Sequence, residues 1–572
     1  MAWGLVALLA VLVALGLAAV WLTTTTTGFV WLAKQATPLS NGRLEFEGVE
    51  GHLAGAARIR TLTLTTDTQR ITLRQVKLDW QPRSLWHRLI EIDLLAVQHV
   101  QVEVLKEDPT PPHYPATLRG LFDIRVAAWD VAKLDVVDAG QTLHFTALHG
   151  TVEGRGARFD FTAAAGTPWA EVTGRFGIDK DAPFKLQGQF NATRDAPVPA
   201  EATLGLAGEL AAIDFRLGAL AEGMQVMAHG QAAPFATVRL PRLLVAGEGI
   251  DPRQFAADAP HADLAFSGVF EGQPGERLLG TFSLSNRLAG RFDQDRLPLA
   301  NLSGAVLGDA SHADFSALAI DLGAAGQFAG GGAWRDGRFT VELASPRVNL
   351  AGLHRDLNAT RIKADLKLTG DAARQTLDAE VSESWGQGRF TLSHTDAVLQ
   401  LESANFSGQA GRLTAKGVLQ LDAGRAFSAE FDAAQINPAR FGKFPRGRLN
   451  ARGEASGALA PELRLQAQFT LPPGDLEGRP VSGKGRVRYE KQHLADADID
   501  LNLAGNRAKL LGAYGRAGDR LNWDIDAPAL ARLNLGLAGR LTSRGSVSGD
   551  PAAPQIEATV AASGLRLPGD IA

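Results

Sequence analysis

The chain has 572 residues, 45% of them apolar and 21% charged, with a formal net charge of -4 and no cysteine. That length suits three or four ordinary domains, and that balance is globular, so a large apolar surface must be buried. The charge leaves no basic field for a phosphate backbone, so nucleic acid is not an expected partner. The lack of cysteine excludes disulfides, thiolate metal sites and a cysteine nucleophile.

Residues 2–22, "AWGLVALLAVLVALGLAAVWL", carry no charge. As a helix they would span roughly 30 Å, the thickness of a bilayer core, and they predict a transmembrane anchor. A cleaved signal peptide would want a basic start and a shorter apolar core. Trp3, Trp21 and Trp31 flank the span as interfacial aromatics do. Charge alone argues against export of the carboxy-terminal body, because Lys34 and Arg43 lie after the span and no Lys or Arg precedes it.

Beyond the anchor, period-two alternation recurs, with Gly, Asp and Asn between the runs, as in "NGR" at 41–43 and "RDG" at 335–337. The stretch "VKLDWQPRSLWHRLIEIDLLAVQHVQVEV", 76–104, interrupts itself. Pro82 cannot serve an interior ladder and holds Gln81 extended, which predicts a strand end at Trp80. Ser84 then caps a short helix over 84–91 that lays Leu85, Trp86, Leu89 and Ile90 against the first rungs, as a gate or a plain plug. Further on, "RFTVEL" puts Phe339, Val341 and Leu343 on one face. "LRLQAQFTL", 463–471, does the same for Leu463, Leu465, Phe469 and Leu471, leaving Arg464, Gln466 and Gln468 opposite.

A longer period overlies the strands. Related segments begin at 250, 348, 436 and 525, each a strand end, a loop with Leu or Phe, and a strand closed by Gly. Such a period predicts stacked repeats, and the last, cut short, suggests the front part of a longer protein. The expected divisions are 1–22, 23–105 with the short helix, 106–249, 250–347, 348–435, 436–524 and 525–572. About 40 strands at roughly 4.8 Å each would reach about 200 Å. The apolar faces need a cover, either a second sheet or the sheet's own curl around an apolar ligand; periodicity does not choose between them.

Motifs for chemistry fail on inspection. "GRPVSGKG", 478–485, has phosphate-loop spacing, but Gly485 is followed by strand-like "RVRYE" and no Ser or Thr follows the Lys. "DADIDLN", 496–502, spaces Asp496, Asp498 and Asp500 like calcium ligands, yet Leu501 stands where Gly is required and Arg507 where Glu is required. The 12 histidines show no paired metal spacing. Neither an enzyme nor a cofactor is expected.

At the amino end, the anchor is followed by "GFVWLAKQA", "GRLEFEGVEGHLAGAARIRTLTL" and "RITLRQVKLDWQPRSLWHRLIEIDLLAVQHVQVEV". This order resembles the start of the TamB family (translocation and assembly module), within the AsmA-like group of bridge-like lipid transport proteins. "LDWQP" with its Leu-rich segment and returning strand is the most specific element. The likeness is strong to about residue 104 and weaker in the later repeats. The Thr23–Thr27 run and the lack of basic residues before the anchor depart from the pattern.

The resemblance implies an all-β fold, one long curled, twisted sheet forming a β-taco-like groove. It implies a single-pass bacterial inner-membrane protein with a periplasmic body, carrying phospholipid toward the outer membrane. A TamA-like barrel would be engaged through a carboxy-terminal domain absent from this chain. The groove would be lined by Leu62, Leu64, Val76, Leu78, Val100, Val102, Val104, Phe282, Leu284, Phe339, Val341, Leu343, Leu463, Leu465, Phe469, Leu471, Ile499 and Leu501. The family also admits a scaffold that helps insert outer-membrane proteins by pairing open sheet edges with client strands. A repeated β-sandwich adhesin is the third reading, while the uncharged span disfavours an outer-membrane barrel.

Overall fold

Alternating side chains make one face of a strand apolar and the other polar, and this chain spends most of its length doing so. The computed structural model describes residues 21–106, 112–138, 141–196, 198–255, 259–549 and 551–566, and among them are 33 strands. The number falls below the expected 40 because strands run long, to 16 residues in Leu89–Val104. The fold is all-β, of open, curled and twisted sheet. The anchor expected at 2–22 lies outside the described residues except for Trp21 and Leu22, which are helical. Among the described residues no helix is long and apolar enough to cross a membrane.

A helix, Thr26–Leu39, precedes the strands. Thr25 caps it by accepting from the Gly28 amide at 3.0 Å. It buries Phe29 and Ala33 and packs on the first strand, Leu44–Gly51.

The chain forms two compact units, one running to Ile250 with Ala265–Gly280, the other Asp251–Leu264 with Thr281 onward. In the first, Leu44–Gly51 to Arg242–Ile250 pair in chain order, antiparallel except for the parallel pair Leu89–Val104 and Asp123–Asp138. In the second, strands from Asn301–Gly308 to Gln555–Arg566 are antiparallel throughout.

A crease crosses the first unit. The ladders skip Gly48, Arg60, Gln75, Gln98, Ala132 and Ala147, one in each of six adjacent strands and each opposite the next. Gly48, Gln75 and Ala147 take left-handed φ of 64°, 55° and 51°. Such a residue bends the strand and turns over the side chains beyond it. Leu73 and Val76, three apart, therefore share a face. Ala317, φ 50°, does the same between Phe315 and Leu318 in the second unit.

Two expected boundaries need correction. The strand predicted from 463 is Arg464–Leu476, so Leu463 lies outside it. The helix predicted over 84–91 is a 3-10 turn, Pro82–His87, with Gln81 rather than Ser84 at the N-cap position and no side-chain capping bond. The Ser84 hydroxyl instead donates to Glu91 Oε2 at 2.7 Å. Arg88, left-handed at φ 56°, ends the turn, so Leu89 and Ile90 open the next strand.

The connection into the parallel strand closes one end of the first unit's sheet. Ile178, Phe184 and Leu186 form a core cluster there, and Phe184 has no exposed surface. The Tyr114 ring stands edge-on to Phe184 at 5.3 Å and to Phe235 at 5.2 Å, and Leu118 packs on the cluster. Beside it, buried Lys180 donates to Asp123 Oδ1 at 2.7 Å and to the Gly154 carbonyl, with its ammonium 4.6 Å from the Phe159 ring centre. Lys180→Met leaves that carbonyl without its donor, and a loss of about 1–3 kcal/mol is expected in urea denaturation.

Candidate functional site

Directly paired residues on neighbouring strands share a face, so register traces which side chains form one wall. From Leu343 the pairs run through Leu366, Ala379, Phe390, Ala404 and Ala415 to Phe431, then Gly453, Phe469, Gly485 and Ile499. They continue through Leu510, Trp523 and Gly545 to Ala558. A parallel stripe starts at Val341 and runs through Leu368, Leu377, Leu392 and Leu401 to Ala467 and Val487. Neither stripe contains a charged residue. The alternate row carries the charge, with Glu342 to Lys367 and Lys416 to Glu430 each paired at 2.9 Å.

Register thus brings Phe339, Val341, Leu343, Leu465, Phe469, Leu471, Ile499 and Leu501 onto one face, Leu471 joining Leu501 through Gly483. Leu465 pairs with Gly457 and Tyr489 there, while Gln466 and Gln468 lie in the polar row. The Phe282 ring sits 6.3 Å from Phe315, and Leu284 is half-buried in the same strand. Leu463, beyond its strand, joins no stripe. In the first unit, Leu62 leads through Leu73 and Val100 to Leu134, and Leu64 through Ile71 and Val102 to Val136. Val76 and Leu78 face Val97 and Leu95 across the crease. Val104 pairs with polar Gln69 at the strand end.

Aromatic rings repeatedly lie over a glycine on the neighbouring strand. A Cβ on Gly485 would come within 2.6 Å of the Phe469 ring, and one on Gly230 within 2.5 Å of Phe215. Phe190 and Gly174, Phe266 and Gly247, and Trp523 and Gly545 repeat the arrangement. Each ring therefore covers bare backbone rather than standing up from the sheet. The wall is apolar yet low. Among the described residues no second layer covers it: strands pack on their neighbours in the ladder, and Phe431 and Leu510, mid-sheet, remain 39% and 36% exposed. A packed sandwich would bury both.

The proposed gate residues are split apart. Trp86 is 89% exposed and covers no rung, Leu85 is half-buried in the turn, and Leu89 and Ile90 pair with Asp123 and Ile124. The discounted motifs take ordinary places. Gly485 lies inside the strand Arg479–Glu490, and Asp500 pairs with Arg507 and Lys509.

One polar cluster was not anticipated. Asp135 receives Lys133 at 2.8 Å, His144 at 2.7 Å and His99 at 2.9 Å. The Lys133 ammonium already occupies a cation's position, so the cluster is an ion-pair network. Lys133 foremost, then His144, holds the Asp135 carboxyl well below the usual carboxylate range, against the opposing effect of burial. A depressed folded-state pKa contributes stability above the unfolded value of about 3.9 and loses it as pH falls.

A family model described as TamB, N-terminal domain, matches residues 15–165 and 363–570, more than half of the chain. The chain belongs to the TamB family. That family is linked broadly to lipid or protein transport, is membrane-associated, and is associated in general with the outer-membrane partner TamA. No curated protein gives a significant match to the chain. For the TamB family the uncharged stripes are the candidate working surface. Neither the crease nor the ring-over-glycine pairs were read from sequence. The signal for the crease was present, as apolar positions three apart, Leu73 with Val76 and Phe315 with Leu318.

Phe431→Ala is expected to cost about 1 kcal/mol in urea denaturation, because that ring is only partly removed from water. Phe184→Ala, emptying a closed core, should cost about 3–5 kcal/mol. Asp135→Asn should lower the urea midpoint at pH 7, with the difference from wild type closing as pH falls from about 5 toward 2.

Proposed function

We propose that this TamB-family chain carries phospholipid along its apolar face, as the periplasmic body of an inner-membrane-anchored bridge toward the outer membrane. The observation that carries the reading is a continuous, uncharged and uncovered stripe from Leu343 to Ala558. Exposed apolar area costs about 25 cal/mol per Å², so a face left open over so many strands favours an apolar occupant. Acyl chains meet that need without a directional hydrogen bond, and the backbone groups behind them are already satisfied within the ladder. Headgroups remain at the open side, in water. No bond is made or broken, so neither a cofactor nor a catalytic residue enters. Engagement of a TamA-like barrel through a further domain belongs to the same proposal.

Phe469 and Gln468 test it, since they are adjacent in sequence and opposite in face. A photo-crosslinking residue at 469 is expected to capture phospholipid, and one at 468 is not. Equal labelling overturns the conduit. Native mass spectrometry of the purified chain separates the scaffold reading: bound phospholipid supports the conduit, whereas stoichiometric client peptide supports pairing with client strands.

A further inference from the structure

The two most exposed large apolar side chains among the described residues are Leu121, 91% exposed, and Trp86, 89% exposed. They lie 35 positions apart in sequence, yet parallel pairing brings their connections together. Leu89 is opposite Asp123, and the Asp123 amide donates to the Arg88 carbonyl at 2.8 Å. Exposed Phe122 adjoins them. Such a pair of apolar tips on one rim of a sheet calls for a partner that is not water.

The chain enters the described residues beside the same rim. Thr23, one residue beyond the uncharged span 2–22, accepts through its carbonyl from the Ala54 amide at 2.7 Å. The neighbouring Leu53 carbonyl accepts from Trp80 Nε1 at 2.7 Å, and Trp80 leads through Gln81 into the turn carrying Trp86. Two hydrogen bonds thus tie the entry of the span to the exposed tips.

Several acidic groups at the rim are already paired with cations. Glu91 is paired with Arg125, Asp123 with Lys180 and Asp181 with Arg119, while Asp93 accepts only from the neutral Gln81 amide and Asp79 is exposed. Arg83 and Arg88 are exposed, and among the described residues neither has a carboxylate partner or a side-chain hydrogen bond. We propose that this rim, Trp86 and Leu121 flanked by Arg83 and Arg88, is a docking surface for an anionic phospholipid bilayer. Trp86 and Leu121 enter the interfacial layer while the arginines meet lipid phosphates. The surface sets how the first strands stand on the membrane and does not depend on the groove carrying lipid.

Because the chain has no cysteine, one introduced residue can carry an environment-sensitive NBD label. The full chain is prepared with Trp86→Cys, Leu121→Cys or, as control, Trp169→Cys, an exposed position in the turn at the far end of the strand Arg158–Gly166. With vesicles of phosphatidylcholine and phosphatidylglycerol, labels at 86 and 121 should shift to the blue. Lipid bearing a nitroxide near its headgroup should quench both, and the label at 169 should stay in water. Removing both arginines by Arg83→Gln and Arg88→Gln should lower the docked-to-undocked ratio at 121 by about fivefold for each charge. Aqueous labels at 86 and 121, equal quenching at all three sites, failure of the chain to bind vesicles, or indifference to the arginines overturns the proposal. Lipid capture at Phe469 is read separately, so a failure of the conduit and a failure of this surface are distinguishable.

Discussion

A sheet that satisfies its backbone only through sequence neighbours has no partner layer with which to cover its apolar face, and everything else in this chain accommodates that constraint. Strand pairing closes the ladders from Arg338–Val348 onward but leaves stripes such as Leu343 to Ala558 facing outward from the backbone. Bulges and left-handed residues then do two things at once. They bend the sheet, and they turn side chains over so that apolar residues on both sides of the bend stay on one wall. Glycines across from aromatic rings keep that wall low. The result is a curved apolar surface without the interdigitated filling of an ordinary core.

Closed cores do occur, but at the ends of strands. In the first unit the connection carrying Tyr114 and Leu118 roofs Phe184, and Lys180 fastens it at Asp123. In the second, the repeat segments from 348, 436 and 525 contain 3-10 turns that pack inward: Leu350 lies against the cluster of Phe328, Val348 and Ala364, and Leu530 is buried. Phe441 closes on Trp385 at 5.2 Å and on Phe406 at 5.4 Å. Successive connections also hold one another, as Asn358 Nδ2 donates to the Ala439 carbonyl at 2.8 Å. Stability is thereby concentrated at the rims, which leaves the middle of each strand free to present its apolar face. This division suits the proposed conduit, in which a surface for lipid must stay accessible without loosening the fold.

Polar residues obey the same division of place. Charges sit on the alternate face, where Glu342 meets Lys367 and Asp135 gathers Lys133, His144 and His99. Acidic residues that resemble metal ligands in sequence, such as Asp500, are neutralised by arginine on the next strand. At the rim near Thr23, two arginines and two large apolar tips remain without partners among the described residues. That rim carries the proposed docking surface for a bilayer.

The all-β class, the polarity of individual strands and the uncharged amino-terminal span were legible in sequence, because each rests on local alternation or composition. Pro82 marked the end of a strand correctly, since the missing amide acts wherever the residue sits. Its consequence was misread: Ser84 is drawn to Glu91, seven residues on, and Arg88 turns left-handed, so the helix stops early and Trp86 is left in solvent. The crease, the pairing of Phe469 with Gly485 and the approach of the connections that carry Trp86 and Leu121 belong to tertiary structure alone. Each depends on which strand lies beside which and in what register, and a period of two residues carries no information about a neighbour's position along the ladder.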